Sequence, residues 1–173
     1  MIETDKLPTG KALIVCRGYT ANPDGTFDVH GSCGGVVSPF VPSPSKRVKA
    51  QVCVYTEAHF PRGLAGTGSM SIVGYWPDGN EVCRVPGPDD DSLDGRPEKI
   101  LVNIWKCEFF FWQLGSVRLE LWWGDRVLAS CDFEVVGPDN VKPGRLVGVA
   151  TAATPEEIEQ LIASQPKAET TAA

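Results

Sequence analysis

The sequence predicts an all-β protein: a single antiparallel β-sandwich of about seven to eight strands, with a C-terminal tail that carries one short helix. Apolar and polar residues alternate with a period of two in most segments, which places side chains on the two faces of a strand. The 18 glycines and 14 prolines among 173 residues divide the chain into short runs, as expected of strands joined by turns. A hydrophobic content of 42% is sufficient for one core.

The clearest element is a hairpin over residues 116–135. Apolar residues occupy every second position of both legs, and Gly124-Asp125 forms the break between them. Burying one large apolar side chain contributes about 1.5–3 kcal/mol, so the remaining strands must supply a second layer over this face. The side chains expected at the centre of the core are Leu119, Leu121, Trp123 and Phe133.

Six further strands are predicted before the hairpin. They cover residues 11–17, 26–33 and 47–57, a strand that starts at Met70, and residues 81–85 and 100–112. Turn signals of the Asp-Gly type separate two of the pairs, at residues 22–25 and 77–80. Gly34-Gly35 indicates a bulge or a close approach of two backbones. The strand over 100–112 is apolar on both faces at its start, which is typical of a central strand.

The sandwich domain is predicted to span residues 10–136, between an N-terminal lead of residues 1–9 and a flexible extension of residues 137–173. The extension starts as a linker that reaches Thr151. Thr154-Pro-Glu-Glu157 then combines an N-cap, a proline at the first helical position and a glutamate three residues after the cap. This pattern predicts a helix near residues 155–164, with Ile158, Leu161 and Ile162 on one side.

The formal net charge of −6 disfavours nucleic acid as a partner, because phosphates repel an acidic protein. The first ten residues are acidic and polar, whereas a secretory signal begins with a basic stretch. No apolar run approaches the ~20 residues needed to span a bilayer. We therefore expect a cytoplasmic protein without a membrane span, whose six cysteines are free thiols.

Only two histidines are present, which restricts the possible catalytic and metal sites. His30 and Cys33 have a spacing that metal ligands use, but zinc needs about four ligands and no second close Cys/His pair occurs. A nucleophile formed by His59 and a cysteine is a weaker hypothesis still, because no motif distinguishes one of the six thiols. We expect no catalytic residue, no cofactor and no metal.

One acidic loop is the exception that leaves a metal hypothesis open. Asp89, Asp90, Asp91 and Asp94 carry enough oxygens to bind calcium, although their spacing is not that of an EF-hand loop. A solvated acidic loop is the favoured interpretation.

The aromatic residues give a better indication of function. Trp122 falls on the polar face of its strand, and Trp112 and Phe110 are predicted to lie on the surface as well unless a bulge changes the register. An aromatic patch of this kind is typical of protein interfaces. The alternative is that another segment of the chain covers the three side chains. Together with the helix residues Ile158, Leu161 and Ile162, they are the candidate interface residues.

Several of these pieces also occur, in the same order, in one known family. They are Ala12-Leu-Ile-Val-Cys16, Tyr19, Asp24-Gly25, Val29-His-Gly31, Pro77-Asp-Gly79, Gly115 and Val117-Arg-Leu-Glu-Leu121. Residues 11–136 thereby resemble a bacterial family of small, uncharacterised β-sandwich proteins, a domain of unknown function. The resemblance implies the fold and no catalytic residue.

Fold and composition together favour a non-enzymatic protein-binding or assembly module, which contacts a protein partner or a second copy of itself. Two other functions remain open. One is a calcium-dependent, C2-like module for a ligand or a membrane surface, which would use residues 89–94. The other is a structural component of a virus or phage.

Overall fold

The eight strands predicted from the sequence are all present in the computed structural model, which describes residues 7–62, 68–87, 98–142 and 148–164. Three very short strands accompany them. Sheet A contains β1 (Thr9–Ala21), β2 (Phe27–Ser32), β4 (Val48–Phe60), β7 (Lys99–Phe111) and β11 (Thr151–Ala152). Sheet B contains β3 (Gly35–Val37), β5 (Met70–Tyr75), β6 (Glu81–Pro86), β8 (Gly115–Trp123), β9 (Arg126–Val136) and β10 (Gly148–Val149). A 3₁₀ turn (Pro138–Asn140) follows β9, and one helix, α1 (Pro155–Ser164), ends the described chain.

Sheet A is organised around β4. One edge of β4 pairs antiparallel with β7 along its whole length, from Val48 opposite Phe111 to Phe60 opposite Lys99. The other edge is shared by β11 at its start and β1 further along, and β2 pairs with the outer edge of β1. The strand order of sheet B is β10-β3-β9-β8-β5-β6.

The core lies between the two sheets, as the hairpin pattern predicted. Leu119, Leu121 and Phe133 are fully buried, and the Phe133 ring of sheet B stacks on that of Phe111 in sheet A at 6.0 Å between centroids. Trp123 is half-buried and packs edge-on against Phe60 of β4 at 5.8 Å. The second layer over the hairpin therefore comes from β4 and β7.

Sheet B is mixed, whereas the sequence predicted a purely antiparallel sandwich. β3 runs parallel to β9, and β10 runs parallel to β3. Glycine makes the contact with β9 possible, because a Cβ at Gly35 would lie 2.3 Å from the carbonyl oxygen of Glu134. The predicted close backbone approach at Gly34-Gly35 is confirmed. The strand itself escaped prediction because three residues are too few to show a period.

The prediction of a central position for the strand over residues 100–112 is wrong. β7 is an edge strand, since β4 is its only strand partner among the described residues. Its inward side chains fill the core, while its outward apolar side chains remain partly in solvent. The prediction failed because a strand with apolar residues on both faces is normally a central strand whose two faces are both buried.

The segment before the helix differs from the predicted linker. Residues 148–152 join both sheets through β10 and β11, and Ala150 between them is buried. The predicted helix is confirmed with its capping box: the Thr154 N–H donates to Glu157 Oε2 (2.8 Å), and the Glu157 N–H donates to Thr154 Oγ1 (3.2 Å). No helix among the described residues is long and apolar enough to cross a membrane.

Candidate functional site

The outer face of sheet A exposes apolar side chains on three adjacent strands. The strand register places Ile14 of β1 opposite Tyr55 of β4, and Tyr55 opposite Ile104 of β7. Ile100 and Val102 continue this row along β7. We call these five residues the sheet A patch.

The patch is substantially exposed. Ile100 retains 57% and Ile14 37% of its accessible surface, while Tyr55, Val102 and Ile104 are half-buried. The Tyr55 hydroxyl donates to Glu57 Oε2 at 3.2 Å, and burial is the main cause that raises the pKa of this phenol. The patch therefore combines aliphatic surface with a tyrosine, a residue type enriched at protein interfaces.

Charged residues border both ends of the row of patch residues along β7. At one end, His59 Nε2 lies 2.5 Å from Glu98 Oε1. At the other end, Lys106 and Glu108 are exposed, and Gln51 Nε2 donates to Glu108 Oε2 at 3.0 Å. An apolar centre with a polar rim is the usual anatomy of a protein-binding surface.

A shallow depression of about 490 Å³ lies beside the patch on the same outer face. Arg17, Gln51, Cys53, Lys106 and Glu108 contribute to its lining. It opens to solvent, and its lining also includes the buried Val52 and Cys107.

The helix α1 covers the far end of sheet A. Ile158 is buried, Leu161 is half-buried, and Ile162 is 55% exposed. Part of the predicted apolar side of the helix therefore packs on the sandwich, and part faces solvent. Phe110 is half-buried and lines a depression together with Leu161. Another part of the chain thus covers a portion of this predicted interface.

The three aromatic candidates do not form a single patch. Trp122 lies on the outer face of sheet B, half-buried, where its indole N–H donates to Glu120 Oε2 at 3.0 Å. Phe110 belongs to sheet A. Trp112 follows the end of β7 and packs edge-on against Trp76 at 5.7 Å, with the Arg47 guanidinium 5.2 Å from its ring. The alternation along each strand could not show which sheet each residue would join.

The remaining predicted positions are separated in space or lie outside the described residues. His30 Nε2 is 2.7 Å from Thr20 Oγ1, while Cys33 is buried towards the core. Among the described residues, no three His, Cys, Asp or Glu side chains are close enough to hold a metal ion together. The acidic residues of the calcium hypothesis, Asp89, Asp90, Asp91 and Asp94, lie outside the described residues.

The cysteines are six free thiols. Burial raises the pKa of Cys16 to about 11 and that of Cys83, Cys107 and Cys131 to about 12. Because the thiolate is the nucleophilic form, these four thiols are poor nucleophiles near neutral pH.

The sequence reasoning missed most of the sheet A patch. Ile14, Tyr55 and Ile104 are far apart in the chain, and only the pairing of β1, β4 and β7 brings them together. The one available signal was the two-sided apolar start of residues 100–104, a pattern that is also typical of a buried central strand.

Comparison with known proteins identifies no relative by sequence: no protein-family model and no curated protein matches the chain. Among solved structures, an immunoglobulin-like protein from Pseudomonas aeruginosa aligns with 76% of this chain over 98% of its own length. The sequence identity is 13% and the TM-score is 0.35.

Proposed function

We propose that this chain is a non-enzymatic protein-binding module and that the sheet A patch is its binding surface. One observation carries the proposal: Ile14, Tyr55 and Ile104 lie side by side on three strands of an outer sheet face, next to the exposed Ile100. Contiguous apolar surface with a charged rim marks interaction sites on soluble proteins more often than single exposed apolar residues do.

The other two candidate surfaces are weaker. On sheet B, the polar group of Trp122 is already bonded to Glu120, which is also 3.1 Å from Arg118 Nε. On α1, Ile162 is a single exposed side chain, because Ile158 and Leu161 pack towards the sandwich. The sheet A patch is the surface where several apolar side chains share one face.

The separation of two titratable groups on β4 argues against a Cys-His catalytic pair formed by them. His59 and Cys53 both belong to β4 and are six residues apart, which corresponds to about 20 Å along an extended strand. A Cys-His catalytic pair needs hydrogen-bond distance. We also propose that the chain belongs to the bacterial family that residues 11–136 resemble. The same proposal includes a cytoplasmic location.

Photo-crosslinking in the native host tests the proposed surface. Benzoylphenylalanine replaces Tyr55 in the patch or, as the matched aromatic control, Trp122 on sheet B. We expect protein adducts from position 55, which Ile100→Asp in the same chain reduces strongly and Val127→Asp leaves unchanged. Val127 is a suitable control because it is 40% exposed on the other sheet. Equal adducts from both positions, or none from position 55, would show that the patch is not the binding surface.

A further inference from the structure

The edge of β7 that faces away from β4 has no strand partner among the described residues. At thirteen residues, β7 is a long edge strand. Natural proteins usually protect such edges with a proline, a bulge or a charge near the middle of the strand. Residues 100–104, in the first half of β7, contain none of these, whereas the exposed Lys106 lies next to the middle of the strand.

The outward residues of β7 and of the position before it form a pattern that is complementary to itself. In chain order they are Glu98, Ile100, Val102, Ile104 and Lys106. If a second copy is laid antiparallel with Val102 opposite Val102, then Ile100 faces Ile104 and Glu98 faces Lys106, each twice. Opposite charges and paired aliphatic residues are the cross-strand combinations that stabilise a sheet.

Neighbouring registers lack this match. A shift that brings Ile104 opposite Val102 places Lys106 opposite Ile100 and Glu98 opposite Glu108. A shift in the other direction places Glu98 opposite Ile104. Each of these arrangements sets a charge against an apolar side chain, which costs stability when the pair is desolvated.

We propose that a second copy of the same chain pairs with this free edge of β7. The two β7 strands pair antiparallel about a two-fold axis at Val102, and sheet A thereby continues from one copy into the other. This inference goes beyond the proposed function, because the pairing uses the edge of β7 and the sheet A patch lies on the outer face. The contact is isologous, so it closes as a dimer and does not grow into a filament.

The arrangement joins the sheet A patches of the two copies on one continuous outer face. Inward residues such as Trp105 are buried within each sandwich, and the outward Ile100, Val102 and Ile104 of two copies form one continuous apolar strip. Glu98 is 66% exposed at its side chain, so its carboxylate can approach Lys106 of the second copy while it remains near His59.

A charge exchange tests the pairing in the full chain. Glu98→Lys places two lysines opposite each other twice in the dimer, and Lys106→Glu does the same with two glutamates. We expect each variant alone to dimerise roughly tenfold more weakly than the wild type. An equimolar mixture of the two variants restores opposite charges in a heterodimer, and sedimentation equilibrium should show wild-type affinity. Both positions are exposed, so neither substitution disturbs the core.

Disulfide trapping tests the register. Facing Cα atoms in an antiparallel pair are about 4.5–5.5 Å apart, which suits a disulfide, so Val102→Cys should form a covalent dimer under mild oxidation. Ile104→Cys is the matched control. Its two copies would be offset by four residues, about 13 Å, and should not crosslink above the wild-type level.

The outcomes separate this inference from the proposed function. A chain that stays monomeric at high concentration but gives adducts with other proteins from position 55 overturns the dimer and keeps the binding module. A dimer that is insensitive to the charge exchange, or that Val102→Cys traps no better than Ile104→Cys, overturns the pairing of β7. Monomeric behaviour without adducts overturns both. Dimerisation with charge rescue and trapping at residue 102 is the expected result.

Discussion

Lys49 Nζ lies 2.5 Å from Glu157 Oε1, so an ion pair joins strand β4 to the first turn of α1. The same carboxylate accepts the backbone N–H of Thr154 through its other oxygen. One glutamate therefore both caps the helix and fixes it to sheet A.

Docking of α1 should depend on pH through Glu157. The hydrogen bond from Lys49, followed by that from the Thr154 N–H, lowers the pKa of this carboxyl below its ordinary value. Since the folded-state pKa is the lower one, the stabilisation is present above about pH 4.3, the value of a free glutamate, and is lost as the pH falls through the folded pKa. NMR signals of the α1 amides, followed from neutral to acid pH, should show undocking in that range.

Glu157→Gln separates the two roles of this residue. Glutamine preserves the capping box but removes the charge opposite Lys49, so the helix should form and dock less tightly at neutral pH. The α1 signals of this variant should lose their acid transition. Glu156→Gln on the same turn is the control, and an equal effect of both substitutions would contradict the role of the ion pair.

Thr56→Val should destabilise the fold through an unpaired donor. In the wild type, the buried Trp105 indole N–H donates to Thr56 Oγ1 at 2.9 Å. Valine conserves the shape and removes the acceptor, so the free energy of unfolding should fall by about 1–3 kcal/mol in urea denaturation. In a Trp105→Phe background no donor remains, and the same substitution should have little effect. If Thr56→Val lowered the free energy of unfolding equally in both backgrounds, the unpaired indole donor would not be the cause.

Gly10→Ala and Gly18→Ala should have opposite effects, although both glycines belong to β1. A Cβ at Gly10 would lie 2.1 Å from the carbonyl oxygen of Leu128 in sheet B, whereas a Cβ at Gly18 meets no atom within 4 Å. Alanine at position 10 must push the sheets apart and should cost about 1–3 kcal/mol. At position 18 it should be neutral or stabilise by up to about 1 kcal/mol, because it restricts the unfolded chain. Thermal unfolding of the two variants compares them directly.

The buried Cys107 and the half-buried Cys83 and Cys131 should resist alkylation at pH 8. For a pKa of about 12, as at Cys83, Cys107 and Cys131, roughly one thiol in ten thousand is ionised at that pH. Iodoacetamide labelling followed by peptide mapping should leave these three unmodified in the native protein. In denaturant all six cysteines should react. Rapid labelling of Cys107 in the native state would show that this part of the core opens readily.

The sequence by itself determined the local elements. Period-two alternation located eight strands, Asp-Gly pairs located two turns, and the Thr154–Glu157 capping box located the helix at its observed bounds. These features depend on neighbouring residues, so the information needed to predict them is contiguous in the chain. Strands of two or three residues are too short to show a period, so β3, β10 and β11 could not be predicted.

Only the tertiary structure decided how the elements pair. It placed β3 parallel to β9, made β7 an edge strand, and brought Ile14, Tyr55 and Ile104 onto one face. Strand order depends on which distant segments best bury each other's surfaces, and the period of a single strand is the same at the centre of a sheet and at its edge. The proposed binding surface arises from that pairing, so the residues that form it could not be located from the sequence.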